Sequence, residues 1–174
     1  MKKDDKKLAL LSSLEEELKG SDGIGEVSVF TQKELNAPMD ILRAEIADFG
    51  SDLKSVLGEF FFIPFEADEV LYFSTVITLT WNLPKEAAAD VASAVARLNY
   101  YIPCGCFALG DSDNNLVYRL CVPLKGDDDT ERQKQTVSIA ANTAIMTAEK
   151  FEGYLKLIIT NETTVDEMLE MIQK

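Results

Sequence analysis

The chain has 174 residues, 47% of them hydrophobic and 27% charged, a length and balance suited to one globular domain that folds without disulfide or metal support. Its 30 Asp and Glu outnumber 17 Lys and Arg, and the net charge of −13 repels phosphate backbones and anionic membrane surfaces. There is no histidine, which excludes Ser-His-Asp and Cys-His catalysis, His-ligated metals and the commonest general base near neutral pH.

The opening Met1-Lys2-Lys3-Asp4-Asp5-Lys6-Lys7 leads into only four apolar residues, Leu8 to Leu11, too short for a signal-peptide core. No apolar run approaches the roughly 18 residues that cross a bilayer. The expected compartment is the cytoplasm, with reduced thiols. Residues 4 to 19 read as an amphipathic helix with Leu8, Leu11, Leu14 and Leu18 on one face, ended by Gly20-Ser21-Asp22-Gly23. In residues 24 to 38, Val27 and Val29 alternate with polar neighbours and Asn36-Ala37-Pro38 reads as a turn.

Residues 39 to 48 fit two patterns. Met39, Leu42, Ile46 and Phe49 suit a helix, whereas Leu42, Ala44 and Ile46 suit a strand. Phe60-Phe61-Phe62-Ile63 is apolar at both parities, as in a central strand covered on both sides, and Pro64 sits near its end. From Val70 to Trp81, Leu71, Phe73, Ile77, Leu79 and Trp81 share one parity, the sign of a strand with one buried face. Leu83-Pro84 opens a helix reaching Tyr101, with Ala87, Val91, Ala94, Val95, Leu98 and Tyr101 as its stripe.

Residues 104 to 122 read as a β-hairpin turning at Asp111-Ser112-Asp113-Asn114. That turn sets Phe107 opposite Tyr118 and Cys104 opposite Cys121. Asp127-Asp128-Asp129 precede the longest helix, where Thr130 and Gln133 match a capping box. Val137, Ala141, Ala144, Ala148, Phe151 and Leu155 repeat along it like a heptad. Gly153 is a place for it to bend or end, and Leu157-Ile158-Ile159 also suit an extended segment. A last helix starts at Thr164, capped with Glu167, and carries Val165, Leu169 and Ile172. Grouped strands point to an α+β fold rather than α/β.

Each chemical motif has a plainer reading. Zinc wants four ligands, and Cys104, Cys106 and Cys121 supply three, so buried packing is the expectation for them. Asp111-x-Asp113-x-Asn115 resembles the start of a calcium loop, but Leu116 and Val122 stand where glycine and glutamate are required. The Asp127–Asp129 run complements a helix N-terminus. Gly20, Gly23 and Gly25 follow a helix rather than a strand and lack a Walker lysine. The heptad-like stripe packs on the domain's own sheet or forms a helix–helix interface. No catalytic, cofactor-binding or metal-ligating residue is nominated.

Four segments resemble the YbjN-like family, described as bacterial sensory transduction regulators. They are Gly58-Glu59-Phe60-Phe61-Phe62-Ile63-Pro64, Val70-Leu71-Tyr72-Phe73-Ser74, Leu98-Asn99-Tyr100-Tyr101-Ile102-Pro103-Cys104-Gly105-Cys106-Phe107 and Leu116-Val117-Tyr118-Arg119. The likeness covers roughly residues 40 to 172. It implies a fold like that of type III secretion chaperones, with an antiparallel sheet and the order α-β-β-β-α-β-β-α. Within the one domain that length and composition predict over residues 1–174, it places the family core at about 39–174, after a helix and loop at 1–38. The first core strand would fall at residues 39 to 48. The resemblance further implies a non-enzymatic, homodimer-prone module and carries over no functional residues.

Composition, layout and resemblance together lead to the expectation of a protein-binding adaptor or chaperone-like regulator that uses no cofactor, nucleic acid or membrane. The alternative is a small-molecule or cation sensor with its pocket between sheet and helices.

Overall fold

A computed structural model describes residues 3–64, 69–110 and 114–174. Helix α1 (Lys3–Lys19) begins with Asp4 and Asp5 and ends on Lys19, matching its dipole at both ends. It buries Leu10, Leu11, Leu14 and Leu18, while Leu8 is only half-buried. The Ser21 N–H donates to the Leu18 carbonyl at 3.0 Å, and Gly23 takes the left-handed region (φ +74°) that turns the chain into strand β1 (Ile24–Phe30).

Thr31 then closes a reciprocal capping box with Glu34, so the chain makes one helical turn, α2 (Gln32–Leu35), before Asn36 ends it in the left-handed region (φ +49°). Residues 41–49 resolve as strand β2 (Ile41–Phe49), which pairs on both sides, with β1 and with β3 (Lys54–Phe62). Strand parity therefore decides the doubtful segment, and Leu42, Ala44 and Ile46 are buried together.

The chain continues through β4 (Val70–Thr80), α3 (Ala88–Leu98), β5 (Cys106–Leu109), β6 (Leu116–Lys125), α4 (Thr130–Ile159) and α5 (Val165–Ile172). The fold is α+β, with one open antiparallel sheet in the order β1-β2-β3-β4-β6-β5. Six strands replace the five implied by the resemblance because Ile24–Phe30 joins as an edge strand along β2. α2 and α5 are likewise additions to the implied order.

Several local expectations change. Trp81 lies beyond β4 and is 54% exposed, so it is not part of that strand's buried face. The stretch from Leu83 is a turn before it is a helix: α3 starts at Ala88 and stops at Leu98, leaving Tyr101 exposed. Asn99 ends this helix by gripping β5, its side-chain amide donating to the Phe107 carbonyl at 3.0 Å and accepting from the Phe107 N–H at 2.8 Å. Asp129, not Thr130, caps α4, its carboxylate accepting from the Arg132 N–H at 3.4 Å. Gln133 turns inward instead and donates to the Lys125 carbonyl at 2.5 Å. α4 does not end at Gly153 and remains helical through Leu157-Ile158-Ile159.

The three helices that touch the sheet, α1, α3 and α4, lie side by side. α1 lies on β1, β2 and β3, α4 on β4 and β6, and α3 on β5; α4 touches α1 and α3, and α5 packs on α3 and α4. Beneath them Leu42, Phe60, Phe73, Ile77, Phe107, Tyr118 and the α4 stripe Val137, Ala141, Ala144, Ala148, Phe151 and Leu155 form the core. The alanines let the helix axis approach the sheet closely. The heptad-like repeat is thus spent on the domain's own sheet.

Candidate functional site

Burial runs at period two along the strands and separates two unlike faces. Under the helices, Val56, Phe60 and Phe62 of β3 are buried; between them Leu57, Glu59 and Phe61 point the other way and are only half-buried. Among the described residues, Phe60-Phe61-Phe62-Ile63 is therefore roofed by helices on one side alone. Its second apolar parity belongs to a face over which no described helix lies.

Cross-strand register lays this face out in rows. Phe30, Ile41, Phe61, Ser74 and Cys121 form one row, and Ser28, Arg43, Glu59, Val76, Arg119 and Cys106 form the next. Ser74, Thr78 and Val117 at its centre are buried, while Ile41, Leu57, Phe61 and Val76 are half-buried. The charges balance: Glu26, Glu45 and Glu59 against Arg43, Arg119 and Lys125, on a chain of net −13. Arg43 is held in place, its Nε 2.9 Å from Glu59 Oε1 and its guanidinium 5.6 Å above the Phe30 ring. An irregularity in the β1–β2 pairing between Ile24 and Val27 opens a shallow cleft of about 210 Å³ lined by Glu26, Ser28, Phe30, Arg43 and Leu57.

The cysteines are not gathered. Cys106 starts β5 opposite Arg119, and Phe107 sits opposite Tyr118 as expected. Cys104 precedes the strand, behind Gly105 (φ +70°), and so does not pair with Cys121, whose registered neighbour is Ser74. Cys106 and Cys121 are exposed rather than packed in the core. Partial burial raises the Cys121 thiol above its ordinary value, against a smaller lowering by Arg119. Tyr118 serves the fold: its hydroxyl donates to the Cys104 carbonyl at 2.6 Å, its ring meets Phe107 at 5.1 Å between centroids, and burial pushes its pKa up to about 12.

No family model, curated protein or solved structure matches the chain.

The other motifs are absorbed into structure. Asp111 and Asp113 lie outside the described residues; beside them, Asn114 bonds Leu83 through its side chain and backbone, the Leu83 N–H donating to the Asn114 carbonyl at 2.7 Å. Asp128 faces Lys125 and Arg132 across a cleft of about 280 Å³, and Asp129 is the cap. Among the described residues no three Cys, Asp or Glu are grouped to hold a metal ion, and no helix is long and apolar enough to cross a membrane.

One buried charge escapes sequence reasoning. Glu152 of α4 is 3% exposed, its Oε1 2.9 Å from Lys54 Nζ and its Oε2 without a hydrogen-bond partner. It fits because residue 50 is glycine: a Cβ there, at φ +68°, would lie 2.5 Å from Oε2. Glu152 stands one helical step from Phe151, on the flank of the stripe, and the β2–β3 turn closes over it through Gly50 and Lys54.

Proposed function

We propose that the chain is a non-enzymatic protein-binding module, an adaptor or chaperone-like regulator that receives an apolar segment of a partner protein on the uncovered face of its sheet. The observation that carries the reading is that face itself: half-buried Ile41, Leu57, Phe61 and Val76 share it on neighbouring strands, Ile41 directly opposite Phe61, with balanced charge on an otherwise acidic protein. Contiguous apolar surface of this kind is unusual on a chain with no partner. A sheet face accepts extended or amphipathic segments through alternate side chains, and edge strand β1 offers backbone groups beside it. The histidine-free composition, the expected cytoplasmic setting and the YbjN-like resemblance, with the type III secretion chaperone-like fold it implies, agree with this role.

The test is capture from a lysate of the source cell by the intact tagged protein and by its Phe61→Glu variant. Phe61 is half-buried on the uncovered face, so the variant keeps its helical and strand circular dichroism. A stoichiometric partner held by the first and lost by the second is the expected result. Equal capture by both, or none by either, refutes the assignment. A blank accompanied by thermal stabilisation from a metal or metabolite would favour a sensor of small molecules or cations.

A further inference from the structure

The outward side of α4 carries a second stripe that the fold does not use. Ile139 and Met146 are 66% and 70% exposed, two turns apart, and Gly153 follows at the same interval. These three positions point directly away from the sheet-facing residues Val137, Ala144, Ala148 and Leu155. A glycine inside a long helix costs about 1 kcal/mol relative to alanine, and nothing in the chain requires it, since a Cβ at Gly153 would meet no atom within 4 Å. Instead Gly153 floors a cleft of about 410 Å³ between α4 and the β2–β3 turn, walled by Lys150, Tyr154, Leu157 and Ser51.

We infer that this stripe is the contact between two copies of the chain, with α4 crossing α4 antiparallel about Met146. In that arrangement Ile139 of each copy enters the cleft over Gly153 of the other, about 21 Å along the helix from its own. Met146 then meets Met146. Lys150 faces Asn142 and Glu149 faces Thr143, so no like charges oppose. A parallel pairing would set Lys150 against Lys150 and leave the Gly153 cleft empty. The charge of α4 selects a second copy as the occupant. The helix has Arg132, Lys134, Lys150 and Lys156 against Glu131, Glu149 and Glu152, whereas the whole chain is at −13. Two such chains repel over most of their surface and meet without repulsion along this helix. The contact is isologous, as closed two-fold dimers require.

Sedimentation equilibrium of the full chain tests it, with Ile139→Glu and Gly153→Leu. Leucine fills the cleft while improving helix propensity, so loss of the dimer in that variant is not a folding failure. The expected result is a wild-type dimer whose dissociation constant rises about 100-fold or more in each variant. Phe61→Glu leaves the dimer intact, which separates this inference from the partner-binding face. A second readout uses chains with Cys104, Cys106 and Cys121 replaced by Ser: an Ile139→Cys chain and a Gly153→Cys chain should cross-link to one another on oxidation. A wild-type monomer at concentrations up to about 1 mM, or a dimer that either substitution leaves unchanged, overturns the inference.

Discussion

Replacing Lys54 with Met should destabilise the protein far more than replacing its partner Glu152 with Gln. Glu152 is 3% exposed, and among the described residues its direct ion-pair contact is Lys54 Nζ at 2.9 Å; its second oxygen lacks a hydrogen bond there. Removing the lysine leaves the buried carboxylate without its direct ion-pair partner. Stranding one charge of a fully buried pair costs about 3–5 kcal/mol. Here the Lys54 side chain is 36% exposed, so water screens the pair and the cost falls to about 2–3 kcal/mol. At about 2–4 °C per kcal/mol for a chain of this size, the melting temperature drops by roughly 5–10 °C. Glu152→Gln keeps the shape and removes the charge, so it should change stability by less than about 1 kcal/mol. The assay is urea unfolding followed by circular dichroism, because exposed Trp81 is a poor reporter of the core. A Lys54→Met cost under about 0.5 kcal/mol, or a Glu152→Gln cost equal to it, refutes the argument that the charge is held in place by its partner.

Tyr118→Phe removes the hydroxyl that donates to the Cys104 carbonyl and should cost about 1–2 kcal/mol in urea unfolding. The same residue sets an alkaline limb. Its pKa is about 12 when folded against about 10 unfolded. The unfolded chain therefore loses its proton first, and stability falls as pH rises from about 10 to 12; melting temperatures across this range should flatten in the Phe variant. Gly105→Ala puts a Cβ 2.6 Å from the Arg119 carbonyl at φ +70° and should cost at least about 2 kcal/mol, whereas Gly153→Ala should gain up to about 1 kcal/mol. Asp129→Ala should cost about 1 kcal/mol and Thr130→Ala almost nothing, and the reverse order of melting temperatures would restore Thr130 as the cap.

Period and punctuation made most of the helical layer legible. Leu11, Leu14 and Leu18 of α1, Val91, Ala94, Val95 and Leu98 of α3, and the α4 stripe lie where a 3.6-residue repeat puts them, whereas Leu8 is half-buried and Tyr101 falls beyond its helix. What failed was whatever depended on neighbours distant in sequence. At residues 39–48, Leu42 and Ile46 satisfy helix and strand alike, and only β1 and β3 pairing on either side settles the matter. At Gly153, an unfavourable local propensity is outweighed by burying Phe151, Leu155 and Ile158 against the sheet. Capping was misread by one residue at α4 because Asp129 and Thr130 both have suitable side chains, while Gln133 was needed inside to satisfy Lys125.

The misreading of Phe60-Phe61-Phe62-Ile63 bears most directly on function. Apolar residues at both parities imply that something covers both faces, but they do not say that the same chain supplies the cover. Six strands spaced about 4.8 Å apart make a sheet about 24 Å across. Helices packed about 8–10 Å apart need roughly three to roof it. α1, α4 and α3 are those three, and α5 packs on the helices rather than on a strand. The three helices that touch the sheet are therefore used on one face. Phe61, Leu57, Val76 and Ile41 keep the composition of a covered face without a described helix to cover it, and that mismatch is what motivates an external partner. The argument also fixes where a disabling substitution belongs. Phe60→Ala, under the helices, should cost about 3–5 kcal/mol of folding stability. Phe61→Ala, one residue on, should cost little stability and weaken partner binding; if the two variants unfold at the same urea concentration, the two faces are not as different as their burial implies.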